Sequence, residues 1–197
     1  MPKKAQTAER VGQILQPEFL TSDQFPFRRG DTFIATITAS DHRAALGAYA
    51  IGYQESENGR IVWLVCAPAR KEGSTHQEAF VTAVVEVVAQ APQAAKLTIR
   101  TVSEYIVKGI NEWRFGWKRN GWKKSKGKRL EYADLWKEID AQIGLKKLDV
   151  VATYIQSGNV EKDRVLETLK SFATSSRWHH RGDPSIVFSS EDEGGGA

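Results

Sequence analysis

The chain has 197 residues, 41% of them hydrophobic, and its 28 Lys and Arg against 24 Asp and Glu give a formal net charge of +4. That size suits one buried core with tails rather than two cores. The single cysteine, Cys66, excludes an internal disulfide framework and a multi-cysteine zinc site, and it favours a reducing compartment.

No apolar run approaches the roughly 20 residues of a membrane span, and the polar start at 1–10 lacks the apolar segment of a secretory signal. A soluble intracellular protein, nuclear or cytoplasmic, with no membrane partner is expected. Residues 1–30 carry charges, Gln, Thr and a brief apolar rhythm at Val11, Ile14 and Leu15, and read as a partly ordered arm on the domain surface. From Phe33 the pattern turns strand-like, with Phe33, Ala35 and Ile37 alternating with Thr36 and Thr38. Runs at 47–53 and 60–67 flank a turn-rich segment, so the first three strands form an antiparallel meander. Between Thr75 and Gln90 apolar residues are nearly continuous. Their valine content favours a strand, but sixteen residues without a breaker predict a helix buried on a wide face.

Residues 96–101 then read as a strand and 102–112 as a helix with Tyr105, Ile106 and Ile110 inward. Tyr132, Trp136, Ile139 and Ile143 mark one stripe of a further helix. A strand follows at 148–155, and a last helix with Val165, Leu166, Leu169, Phe172 and Ala173 on its apolar face. From residue 175 to the end, Ser, His, Arg, Asp and Gly predict a disordered tail. Within it Trp178, His179 and His180 suggest a short binding motif, Arg181-Gly182-Asp183 is attributed to chance, and Glu191 to Glu193 are acidic.

The stretch 113–129 stands apart. It holds Arg114, Lys118, Arg119, Lys123, Lys124, Lys126, Lys128 and Arg129, no acid, and three of the six tryptophans. Without its eight cations the remaining 20 basic residues face 24 acidic ones, so the positive charge is local. Aromatic planes set among cations suit a sugar-phosphate backbone, while a solvated basic loop with inward tryptophans is the bland alternative.

The order of elements, and three motifs within them, resemble ribonuclease H. Thr101-Val-Ser-Glu-Tyr-Ile-Val-Lys-Gly-Ile110 is similar to the family's Thr-Asp-Ser-Gln-Tyr-Val-x-x-Gly-Ile. Residues 113–122 resemble its Trp-x-x-x-Trp-Lys-x-x-Gly-Trp protrusion, the handle, and Asp134-Leu135-Trp136 its next Asp-Leu-Trp. The resemblance implies an α/β domain over 31–174: a five-stranded mixed sheet, three strands antiparallel and then two parallel, flanked by helices.

Ribonuclease H enzymes cut the RNA strand of an RNA·DNA hybrid with four acidic residues that hold two divalent cations. In this sequence the matching positions are Ala39, Glu78, Val102 and Leu166, and Gln156 to Val160 replaces the family's His-containing loop. Only Glu78 keeps a carboxylate. The expectation is therefore a chain without hydrolytic activity, metal or cofactor. Displaced carboxylates at Asp41, Glu104 and Asp163 offer a rescue only if the backbone is rebuilt, since two residues along a strand span roughly 6 to 7 Å.

What the resemblance leaves is the grip. Trp117 and Trp122 would face sugars, and Lys118, Arg119, Lys123, Lys124, Lys126 and Lys128 would face phosphates. Ser74, Thr75 and Ser103 would touch the minor groove, and Trp113 and Trp136 would anchor the handle. The expected ligand is RNA·DNA hybrid, with double-stranded RNA close behind. The competing expectation is an interaction scaffold with a protein partner or a homo-oligomer.

Overall fold

The computed structural model describes residues 25–41, 47–57, 59, 61–67, 73–124, 127–156, 164–174 and 186–189. Its elements in chain order are β1 (Thr32–Ala39), β2 (Tyr49–Gln54), β3 (Trp63–Ala67), α1 (His76–Gln90), β4 (Lys96–Thr101) and α2 (Glu104–Lys108). A π-helical turn, Gly109–Trp113, leads without interruption into α3 (Arg114–Arg119), followed by α4 (Ala133–Lys146), β5 (Asp149–Tyr154), α5 (Arg164–Thr174) and β6 (Ile186–Ser189).

The sheet runs β5-β4-β1-β2-β3-β6. β1 pairs antiparallel with β2, which pairs antiparallel with β3, while β4 lies parallel to both β1 and β5. Central position explains the composition of β1, whose residues after Thr32 are all buried, so that threonines as well as aliphatics are enclosed. Buried Thr36 meets its polar requirement by donating from Oγ1 to Gln54 Oε1 at 3.3 Å.

One face of the sheet carries the main core, where Phe33, Ala35, Ile37 and Ala39 meet α1, α4 and the side chains of Ile106 and Trp136. The valine-rich segment is indeed a helix. α1 buries nine residues from Ala79 to Val88, so burial on a wide face outweighs the modest helix propensity of valine. On the opposite face α5 sets Leu169, Phe172 and Ala173 against Ala50, Leu64 and Cys66.

Two features depart from the sequence reading. The arm does not lie wholly on the surface, because Phe25 and Phe27 are buried in the main core and Phe27 stacks on Phe33 at 4.4 Å. Aromatic burial of this kind outweighs a polar sequence context. The second concerns the tail. Ile186–Ser189 forms a sixth strand, antiparallel to β3. Its Ile-Val-Phe-Ser sequence suits an extended strand, and it supplies partners to an edge that five strands would leave open. Val11, Ile14, Leu15, Trp178 to Asp183 and Glu191 to Glu193 lie outside the described residues. No described helix is long and apolar enough to cross a membrane.

Candidate nucleic-acid interface

The handle grows from one continuous helical run. Ser103 caps its start, with Oγ accepting from Ile106 N–H at 3.4 Å, and the chain runs through α2, the π-helical turn and α3 to Arg119. Close contact with α4 shapes the turn: Gly109 lies against the indole of Trp136, where a Cβ would sit 2.3 Å from Cη2. Asn111, inside the turn, donates to Ala152 O at 2.8 Å and accepts from Ala152 N–H at 2.9 Å, so its amide closes the outer edge of β5.

After α3 the chain reverses sharply. Gly121 and Trp122 both take positive φ, and Trp122 N–H donates to Trp117 O at 2.6 Å. The chain then returns through a short ladder in which Lys123 bridges Arg129 and Lys124 N–H donates to Lys128 O at 2.8 Å. Arg119, Lys123, Lys128 and Arg129 are exposed on this projection, and Lys124 is half-buried. Lys126 lies outside the described residues.

An aromatic base holds the projection. Trp136 is fully buried and donates from Nε1 to Tyr105 Oη at 3.0 Å. Burial pushes the Tyr105 phenol above its usual range, an effect the Trp136 hydrogen bond partly offsets. Trp117 packs edge-on against Trp136 with ring centroids 5.2 Å apart, and Trp113 lies 5.7 Å from Trp117. The tryptophans thus divide differently from the expectation. Trp136 is an anchor, but Trp113 is 38% exposed, whereas Trp117 is half-buried against the base. Trp113 closes the π-helical turn, whose wider winding displaces it and the residues that follow relative to a regular α-helix. Trp122 is also half-buried.

Charge pairs complete the attachment. Asp140 of α4, 9% exposed, receives Arg114 Nη1 at 3.1 Å and Lys118 Nζ at 2.7 Å. Lys124 reaches Glu131 at 3.3 Å. Two of the expected phosphate-facing lysines therefore stand in ion pairs. Phe115, half exposed beneath the Arg114 guanidinium, adds an aromatic that the motif match does not mark. Asp140 also escapes sequence reading, because a carboxylate beside an apolar helical stripe looks like the edge of a solvated face.

Two of the three small polar candidates, Thr75 and Ser103, cap helices. Thr75 caps α1, accepting from Glu78 N–H at 3.0 Å, and its hydroxyl meets Tyr132 Oη at 2.9 Å, joining α1 to the base of the handle. Ser74 is buried, and Ser103 is the cap of α2.

At the sheet end beside this assembly, the parallel register Ile37↔Thr101 puts Ala39 and Val102 near one another, Ala39 two residues and Val102 one residue past that last pair. Ala39 is buried, Val102 half-buried, Leu166 fully buried on α5, and Glu78 half-buried in the first turn of α1. Asp41 is exposed, Glu104 pairs with Lys108 at 3.3 Å, and Asp163 lies outside the described residues. The pair of divalent cations implied by the resemblance does not fit three hydrocarbon side chains. Among the described residues no group of three or more His, Cys, Asp or Glu is arranged to hold a metal.

Comparison with known proteins decides the family, because the model described as RNase H matches residues 32–164. The chain belongs to the ribonuclease H family. Among its relatives, Ribonuclease H of Dechloromonas aromatica is 40% identical over 91 residues, which are 46% of this chain and 62% of that protein. The chain thus spans less than two thirds of that relative's length. Ribonuclease HI of Neisseria meningitidis serogroup B is 33% identical over 91 residues, 46% of this chain and 63% of that protein. The foamy viral protease-reverse transcriptase in complex with RNA/DNA hybrid is similar in fold, with a TM-score of 0.51 at 20% identity over 78% of this chain and 20% of that one.

These relatives overturn the expectation that the chain is no enzyme, since proteins similar to it at 33% and 40% identity are named as ribonucleases. Ala39, Val102 and Leu166 exclude only the metal geometry that uses those positions. The chain still carries Asp41 and Glu104 two residues beyond Ala39 and Val102, besides Glu78.

Proposed function

We propose that this ribonuclease H-family chain recognises RNA·DNA hybrid through its handle, and that cleavage of the RNA strand, as the relatives' name implies, is the reaction this grip serves. The observation that carries the reading is the handle itself: exposed Arg119, Lys123, Lys128 and Arg129 project from a base fixed by Trp136, Trp117 and Asp140. Rigid mounting matters because a backbone already fixed in place spares the handle the cost of ordering when its cations meet phosphates. Backbone contacts of this kind read helix shape rather than base sequence. The complex of the foamy viral neighbour with RNA/DNA hybrid supports this choice of ligand.

Salt-titrated binding to RNA·DNA hybrid, duplex RNA, duplex DNA and single strands tests the grip, with Trp122→Ala and a Lys123/Lys124 charge reversal as variants. Hybrid should bind most tightly, and affinity should fall steeply with salt and in both variants. Binding indifferent to the variants would return the chain to the scaffold reading. Cleavage of hybrid in Mg²⁺ or Mn²⁺, compared with Glu78→Gln, tests the reaction separately.

A further inference from the structure

The two cations on Asp140 are held very differently. The Arg114 side chain is 12% exposed, its Nε donates to Ile110 O at 2.9 Å, and its guanidinium lies 4.1 Å over the Phe115 ring. It is fixed from several sides. The Lys118 side chain is 63% exposed, although its ammonium lies 2.7 Å from Asp140 Oδ2. Breaking the Arg114 pair would leave a largely buried carboxylate without its guanidinium, whereas moving Lys118 into solvent leaves Asp140 still neutralised by Arg114. Four residues apart on one helix, the two cations share a face, so the carboxylate can hold one firmly and the other loosely.

We propose that Asp140 is a holding site for Lys118. In the free protein the carboxylate occupies the ammonium, and on binding hybrid Lys118 transfers to a backbone phosphate while Arg114 keeps Asp140 paired. One anionic oxygen replaces another, and no proton moves. Asp140 therefore opposes binding by competing with phosphate for Lys118, while its bond to Arg114 keeps the handle oriented. The inference rests on the handle being the hybrid-binding surface.

The test is a double-mutant cycle on the full chain, with labelled RNA·DNA hybrid titrated at several salt concentrations. Asp140→Asn keeps an oxygen that can accept from Arg114 and removes the competing charge. It should tighten binding about two- to fivefold, the range set by an exposed ion pair, without changing the salt dependence. Lys118→Met should weaken binding and make the slope of log K against log[salt] shallower by about 0.9, the loss of one phosphate contact. In the Lys118→Met background, Asp140→Asn should give no tightening.

Equal tightening in both backgrounds would mean that Asp140 acts as a general negative charge, and would overturn the proposal. So would weaker binding by a folded Asp140→Asn, or an unchanged slope in Lys118→Met. Should Asp140→Asn fail to fold, Asp140→Ser takes its place in the same cycle, since it too removes the competing charge while leaving an oxygen that can accept from Arg114. If Trp122→Ala and the Lys123/Lys124 reversal leave hybrid binding intact, the functional reading itself fails. If they weaken binding while the cycle is additive, only the holding role falls.

Discussion

Gly109 and Trp136 meet so closely that the glycine's missing side chain is part of the joint: a Cβ at 109 would lie 2.3 Å from Cη2 and 2.6 Å from Cζ2 of the indole. Trp136 is fully buried and cannot swing aside into solvent. At this contact the π-helical turn is pressed against α4, and the handle takes its direction from it.

Gly109→Ala is therefore expected to destabilise the domain. With φ of −58° the position is ordinary helix, where alanine would otherwise gain about 0.5 to 1 kcal/mol over glycine. Overpacking of a closed core costs about 1 to 3 kcal/mol and decides the sign. Urea unfolding should show a lower midpoint, whereas a stabilised variant would mean that the indole has room to move.

Asn111 makes a prediction about the far edge of the sheet. Its amide both donates to and accepts from the backbone of Ala152, so Asn111→Ala removes two hydrogen bonds at a partly buried site. A loss of about 1 to 2 kcal/mol is expected, limited by water reaching the freed groups. Hydrogen exchange at the Ala152 amide should accelerate more than exchange at neighbouring β5 amides. Asn111→Asp should be worse than alanine, since a carboxylate would face the Ala152 carbonyl in place of a donor.

How much of this was legible in the sequence depended on whether a feature was local. Strand alternation at Phe33 to Ile37, the unbroken run through α1 and the Tyr132-Trp136-Ile139-Ile143 stripe each carry their own period, and the structure has those elements there. Motif order likewise locates the handle. Phe25, Phe27 and β6 were not legible, because their places depend on surfaces formed by distant strands. The exposure of Trp113 and the partial burial of Trp117 were not legible for a narrower reason: a π-helical turn leaves no periodic signature in five residues, yet it ends at Trp113 and rotates the α3 helix beyond it. Asp140 was missed because a charge looks solvated until its partners are known.

Tyr105 gives a prediction in pH. Burial raises its phenol above the ordinary 10.0, so between 10.0 and the folded value the native state holds more protons than the unfolded chain. The contribution of Tyr105 is accordingly full below pH 10.0 and declines as pH rises beyond it. Tyr53, also raised chiefly by burial, acts in the same direction. Tyr105→Phe should lower stability at neutral pH by about 1 to 2 kcal/mol, because Trp136 Nε1 loses its acceptor. Its alkaline decline should be shallower than that of the unmodified chain but not absent, since Tyr53 and the buried Cys66 thiol, also raised by burial, remain. Chemical denaturation at a series of pH values checks both parts, and an identical alkaline slope would exclude Tyr105 as a contributor.

The clearest division between mounting and gripping lies in Trp117 and Trp113, which stand four residues apart at the base of the handle. Trp117 packs against Trp136 at 5.2 Å and lies 6.2 Å from Tyr105, so Trp117→Ala removes a half-buried ring from the joint. A loss of about 2 to 3 kcal/mol is expected, below the roughly 3 to 5 kcal/mol of a fully buried aromatic. Trp113 also touches Tyr105 and Trp117, but 38% of it remains open to solvent, and Trp113→Ala should cost about 1 kcal/mol or less. Hybrid binding by the folded fraction separates the roles further. If Trp113 offers its open face to a sugar or base, its alanine variant loses affinity out of proportion to its stability, since such stacking is worth about 1 to 3 kcal/mol. Trp117→Ala should lose affinity only as the handle loosens, and cooling should restore part of it. Parallel losses of stability and affinity in Trp113→Ala would make both tryptophans parts of the mount and leave the grip to the cations and Trp122.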